Sequence, residues 1–258
     1  MAGPKIDSLP PRSYITNPLV IKTMSASALP SKSTPETPLR HERRKDARPG
    51  ELLAAALDLF VEKGFAATRV EEVAARAGVS KGTLFLYFAS KEELFKAVVR
   101  ENISGRFPQW NVEIEAFEGS TADMLRYAMA VWWERLGSSK ASGITKLMLS
   151  EARNFPELAA FYQQEVMRPA HEMVRRILQR GVDRKEFAPL NMQYAVYAVL
   201  SPMLFLQMML HASPACCDSA DALQLVPEDF LATQVQTLLD GLRLRTPSAA
   251  SDKGLRSL

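Results

Sequence analysis

Between positions 68 and 91 the chain gathers groups that hydrogen-bond to anions and to base edges. Hydroxyls stand at Thr68, Ser80 and Thr83, ammonium groups at Lys81 and Lys91, rings at Phe85 and Tyr87, and Gly82 carries no side chain. A threonine near a helix N-terminus can bond a base edge or touch a thymine methyl, and a lysine can meet a phosphate or a guanine. Gly82 lets a backbone approach closely. This is the chemistry of recognition. Chemistry of turnover has no comparable constellation: the chain shows no HExxH, no phosphate loop, no nucleophile elbow and no metal cluster. Its three histidines are scattered, and the adjacent Cys216 and Cys217 lack ligand spacing and make no disulfide framework. We therefore expect no enzyme, no cofactor and no metal, in a reduced, cytoplasmic setting.

Two short helices and a tight turn must position those groups. Thr68 followed by Glu71 has the spacing of a capping box, which predicts a helix start there. Val70, Val73, Ala74 and Ala77 then recur at helical spacing. Gly78 follows, and only glycine takes the left-handed C′ conformation without a Cβ penalty, so the helix is expected to stop. Ser80 can cap a second helix from Lys81 to about Phe88, with Leu84 and Phe88 on its packed face. Such a pair is a helix-turn-helix, whose second helix lies in the DNA major groove. Ahead of it, Leu52, Leu53, Ala56, Leu57, Phe60 and Val61 form one stripe of a helix from about Pro49 to Lys63. Gly64 ends that helix, and Phe65 is expected to plug back into the core.

With these residues in view, the stretch AxxxGVSKGTLFLYFxSKEELF resembles the headpiece of the TetR family of bacterial transcriptional regulators. The resemblance rests on Ala74, Gly78, Val79, Ser80, Lys81, Gly82, Thr83, Leu84, Phe85, Tyr87, Phe88, Ser90, Lys91 and Leu94. It implies phosphate contacts at Tyr87 and Lys91. It also marks a departure: the position of Phe85 is usually Tyr, so one hydroxyl is absent. Thr68, at its expected helix N-terminus, can help bind a phosphate. The expected DNA-binding set is thus Thr68, Ser80, Lys81, Gly82, Thr83, Phe85, Tyr87 and Lys91.

The charge distribution adds an arm. Residues 1–48 carry a net +5 and the remainder a net −2. A basic segment beside a DNA reader suits phosphate attraction. Residues 1–46 are rich in Pro, Ser and Thr and are expected to be disordered. The headpiece, residues 47–91, is close to neutral, so placed cations and duplication must supply affinity. One short helix reads too few bases to find a site in a genome, which argues for a two-fold dimer on a palindromic operator.

The body, residues 92–245, reads as all-α, with helices near 120–137, 140–152, 156–181, 191–211 and 227–244; a flexible tail, 246–258, follows. A further helix opens at the Ser90 cap and is interrupted near Gly105 to Pro108; in the family it links headpiece to body. Pro169 and Pro202 are each expected to kink a helix. The run Tyr194 to Leu210 is apolar on nearly all faces, slightly short for a membrane span, and suits a buried or interface helix. Paired with the last helix it suggests a four-helix dimer interface through Val199, Met203, Leu206, Leu231, Val235, Leu238 and Leu242. The same residues also suit an ordinary core.

Aromatics and methionines in the middle of the body suit an apolar pocket. Trp110, Trp132, Trp133, Met148, Phe161, Met167 and His171 are the candidate ligand contacts. The resemblance implies a homodimeric repressor released from double-stranded DNA by a largely apolar small-molecule inducer. The alternative is a DNA-binding dimer with no small-molecule response.

Overall fold

The computed structural model describes residues 42–211 and 225–242, with side chains from Pro49 onward. The expected tail, most of the basic arm and the two cysteines lie outside the described residues. Eleven α-helices and no strands occur among those described. The architecture is all-α, as the periodicity predicts.

Helix α1 (Glu42–Ala67) buries Leu52, Ala55, Ala56, Leu59 and Phe60 along one stripe. It begins earlier than the expected start at Pro49, so residues 42–46, expected within the disordered arm, are helical backbone. Its helical geometry breaks at Gly64, where φ is 84°. That break turns Phe65 into the core, fully buried. Helix α2 (Val70–Arg76) follows, and Gly78, at φ 68°, supplies the left-handed residue that ends it. Helix α3 (Lys81–Tyr87) opens with the Ser80 hydroxyl accepting from the Thr83 amide at 3.0 Å. Helix α4 (Lys91–Asn102) opens likewise on Ser90, which accepts from the Glu93 amide at 3.2 Å. Both serine caps are as expected. Thr68 is not a cap: Arg69 holds that position, without a side-chain bond.

A 3₁₀ turn (Ser104–Arg106) leads into α5 (Phe107–Glu115). Then come α6 (Thr121–Trp132), α7 (Ser142–Glu151), α8 (Pro156–Tyr162), α9 (Arg168–Asp183), α10 (Met192–Leu210) and α11 (Pro227–Leu242). Widened π turns, Trp133–Gly137 and Gln163–Met167, extend α6 and join α8 to α9. Pro169 follows the second π turn directly, at the second residue of α9. Pro202 lies within an unbroken α10.

Two apolar clusters hold these helices. The first runs from α1 through α4 and on to α5, α7 and α8, so the core continues across the expected domain boundary at residue 91. At its centre the rings of Phe60, Phe65 and Phe95 lie 5.3–5.6 Å apart, and Phe155 meets Phe65 edge-on at 4.7 Å. Edge-on pairs add about 1 kcal/mol each beyond their buried area. The second cluster joins α6, α9, α10 and α11.

The second cluster corrects the expected dimer interface. Val199, Met203, Leu206, Leu231 and Val235 are all buried inside their own chain, and Leu238 and Leu242 pack against them. They form the intramolecular seam between α10 and α11. The outward face of α10 carries other apolar residues: Tyr194, Tyr197, Phe205, Met208 and Met209. The helix is long and apolar enough to cross a membrane by composition, yet Val196, Val199, Met203, Leu206 and Gln207 pack it into this core.

Candidate nucleic-acid interface and effector cavity

Helix α3 is anchored by Leu84, which is fully buried, while Phe88 beyond its end is half-buried against the same core. Around that anchor Lys81, Gly82, Phe85, Leu86 and Tyr87 face outward, and Thr83 is half-buried. The Ser80 and Thr83 hydroxyls share a hydrogen bond at 2.9 Å. Lys81 pairs with Glu71 at 2.6 Å and lies 5.8 Å from the Phe85 ring centre. A Cβ on Gly82 would meet only the Ser80 hydroxyl, at 3.7 Å, so its face is open. Six of the eight expected contacts thus share one short segment.

The other two do not present their side chains. Thr68 is 1% exposed, and its hydroxyl donates to the carbonyls of Gly64 at 2.7 Å and Leu59 at 3.1 Å. It ties off the end of α1. Lys91 donates to the carbonyls of Phe65, Thr68 and Ala66 at 2.9, 3.1 and 3.3 Å, and its ammonium sits 4.4 Å from the Phe65 ring centre. A lysine ammonium has three donors, and all three are taken. Both expectations are corrected by the break at Gly64, whose exposed carbonyls attract these donors.

Two groups on this surface escaped the sequence reading. Leu86 is 83% exposed, the most exposed large apolar residue described. Helical geometry could have found it: Leu84 and Leu86, two residues apart, cannot share one helix face. Arg69, at the start of α2, is exposed, and its side chain has no ion pair among the described residues. The neighbouring cations are neutralised. Arg76 pairs with Glu62 and Lys63 with Glu72, each at 3.0 Å. Hydrogen bonds from Lys81 and Lys63 hold Glu71 and Glu72 below the usual carboxylate range.

A cavity of about 110 Å³ lies in the body, lined by residues of both apolar clusters. Trp110, Trp132 and Met167 are on its wall, as expected. The other expected contacts are elsewhere. Met148 is buried in the first cluster. Trp133 turns outward and donates to Glu228 at 3.0 Å. Phe161 lies under Arg100, 5.0 Å from its ring centre. His171 packs edge-on against Tyr197 at 5.1 Å in a shallow outer groove, and burial lowers its pKa.

Polar groups interrupt the apolar wall at three places. Glu113 receives both Arg135 contacts at 2.9 Å and the Tyr127 hydroxyl at 3.1 Å. Burial pushes its carboxyl up, but these bonds and that from Gln109 hold it below the usual range. Thr145 and the buried Tyr162 share a hydroxyl bond at 2.8 Å, and burial pushes the Tyr162 phenol up to about 12. Gln207 is 3% exposed, and its side-chain amide has no hydrogen-bond partner among the described residues.

The cavity connects to the headpiece through α7. Thr145 faces the cavity, and Glu151 at the helix end accepts from the backbone amides of Phe65 and Ala66, at 2.9 and 3.1 Å.

Comparison with known proteins agrees with this layout. Residues 52–98 match the model for bacterial regulatory proteins of the tetR family, and residues 118–226 match the tetracyclin repressor-like C-terminal domain. The HTH-type transcriptional regulator RutR of Escherichia coli K12 is 26% identical over 174 residues, covering 62% of this chain and 74% of that protein. The HTH-type transcriptional activator FasR of Mycolicibacterium smegmatis is 46% identical over 59 residues, covering 23% of this chain and 27% of that protein. Among solved structures, the regulator FadR of Bacillus subtilis in complex with stearoyl-CoA superposes with a TM-score of 0.61 at 18% identity. It covers 75% of this chain and 99% of that one, a likeness of fold.

Proposed function

Because the chain belongs to the tetR family of bacterial regulatory proteins, a DNA-binding family of transcriptional regulators, we propose that it is a homodimeric repressor released from a palindromic operator by a small-molecule inducer. The observation that carries this reading is the outward row of α3, held proud by the buried Leu84 and the Ser80 cap. Thr83 and Lys81 read base edges there, and Gly82 lets the helix sit deep in the groove. Tyr87, and Arg69 at the start of α2, meet phosphates.

Dimerisation uses the outward face of α10, where Tyr194, Tyr197, Phe205 and Met208 lie on one stripe and Phe230 of α11 flanks Phe205 at 6.1 Å. An exposed apolar stripe of this kind marks an association surface. The inducer occupies the cavity between the two clusters. It acts by favouring a body geometry in which the two reading heads no longer match successive major grooves. FadR of Bacillus subtilis, with its bound stearoyl-CoA, supports a small-molecule response on this fold.

Selection of bound sequences from a random duplex pool tests the reading. A palindrome with half-sites about one helical turn apart is expected. A single unrepeated half-site would remove the dimeric readout. An operator whose recovery raised transcription of the flanking gene would make the protein an activator.

A further inference from the structure

The cavity wall limits what can enter it. Its lining is aromatic and aliphatic, with Phe107, Trp110, Tyr127 and Trp132 at one region and Met129, Val199 and Met203 at another. No Lys, Arg or His stands on it among the described residues. Its one ionised group, Glu113, already receives Arg135, Tyr127 and Gln109. A bound carboxylate would thus find no free cation, and a bound ammonium would have to displace Arg135. Either bare charge inside an apolar cavity carries a large desolvation cost.

One group does await a partner. Gln207 as a residue is 3% exposed and lines the cavity, and its side-chain amide makes no hydrogen bond among the described residues. Leaving a buried amide unbonded is costly, so such groups are ordinarily satisfied. The start of α7 meets the end of α10 where Ser142 bonds His211 at 2.6 Å. One turn inward on each helix stand Thr145 and Gln207, both on the wall. The Thr145–Tyr162 pair shares one bond between two hydroxyls, which leaves one hydroxyl proton uncommitted.

Resting on the effector-cavity reading above, we propose that the inducer is an uncharged, largely apolar molecule bearing a hydroxyl or carbonyl that hydrogen-bonds Gln207, and that free carboxylates are excluded. The amide offers both a donor and an acceptor, so it satisfies either head group. The present volume of about 110 Å³ is below the ~150 Å³ of a dry cavity that admits benzene, so an eight-carbon chain enters only as the wall gives way.

The test uses the full chain and five probes of equal chain length: octane, 1-octanol, 2-octanone, octanoate and octylammonium, at pH 7.5. Binding is read from Trp emission, since Trp110 and Trp132 line the cavity, and from the shift in melting temperature. Octanol and octanone are expected to bind about ten-fold or more tighter than either ion. In Gln207→Leu, octanol should weaken about five-fold while octane is unaffected. That variant removes a buried unpartnered amide, and the octane control reports directly on the integrity of its cavity. Octanoate or octylammonium binding as tightly as octanol overturns the neutral-head inference and leaves the cavity reading standing. Undiminished octanol affinity in Gln207→Leu overturns the assignment to Gln207. If no probe changes emission or melting, the cavity reading falls and the inference falls with it.

Discussion

The Glu151 carboxylate accepts a hydrogen bond from the Phe65 backbone amide at 2.9 Å, across a separation of 86 residues. The same carboxylate takes the Ala66 amide, and a Cβ on Gly64 would approach its oxygen to 2.4 Å. Body helix α7 therefore grips the break between α1 and α2, while Lys91 grips the carbonyls of the same turn. The headpiece is held from both sides by groups of opposite charge.

Removing that grip should loosen the reading head. Glu151→Ala leaves two amides without their charged acceptor, and should cost about 1–3 kcal/mol in urea unfolding. It should also weaken the effect of inducer on operator affinity, because Thr145 of the same helix lines the cavity. Gly64→Ala should destabilise by about 1 kcal/mol or more, from its positive φ and the close carboxylate. A Glu151→Ala protein with unchanged stability and unchanged inducer response would show that α7 is not the connection.

Lys91, tied to three carbonyls, and Arg69, proposed to meet a phosphate, should respond differently to substitution. Lys91→Ala should lower the melting temperature yet leave the slope of log affinity against log salt unchanged. Arg69→Ala should reduce that slope by about 1 with little effect on stability. Thr83→Val should alter sequence preference, by about 1–3 kcal/mol at the base it reads. Salt-dependent operator titrations on the three variants check all of this; a reduced slope for Lys91→Ala would restore it to the phosphate contacts.

The two faces of α10 should respond differently. Leu206, fully buried, belongs to the protomer core, so Leu206→Ala should cost about 2–5 kcal/mol. Phe205, 48% exposed, should tolerate Phe205→Asp within the protomer while the dimer dissociates. Sedimentation velocity over a concentration series distinguishes them. A Phe205→Asp protein that remained dimeric would move the interface elsewhere.

Acid should weaken the fold in a defined order. Burial lowers the pKa of His211 below its ordinary 6.5, with the nearby Lys146 ammonium adding to the shift, and Ser142 bonds its ring. The unfolded chain then takes up the proton first, so stability present above about pH 6.5 is lost as pH falls below that value. His171, also lowered by burial, acts in the same sense. Glu62, Glu71, Glu72, Glu113 and Glu172 have depressed pKa values, and their contribution is lost only below their ordinary 4.5. Urea midpoints from pH 7.5 to 5.5 should therefore decline, and His211→Asn should flatten part of that decline.

Much of this molecule was legible from local chemistry. The left-handed Gly78, the serine caps at Ser80 and Ser90 and the break at Gly64 all emerged where their residue types predict. These features close within a few residues of chain, so a sequence determines them by itself. What faces solvent is different, because it depends on partners far along the chain. Thr68 and Lys91 look outward in a motif, but carbonyls freed by Gly64 draw both inward. An all-apolar α10 has no pattern to say which half meets its own protomer; packing against α9 and α11 decided that Val199 and Leu206 turn in and Phe205 turns out. The aromatic and methionine residues of the body announced a cavity, yet only the meeting of two clusters selected Trp110, Trp132 and Met167 for its wall. It also brought Gln207 there. Burial is a property of the assembled surface, and a linear pattern supplies the apolar residues without saying which of them close around an empty space.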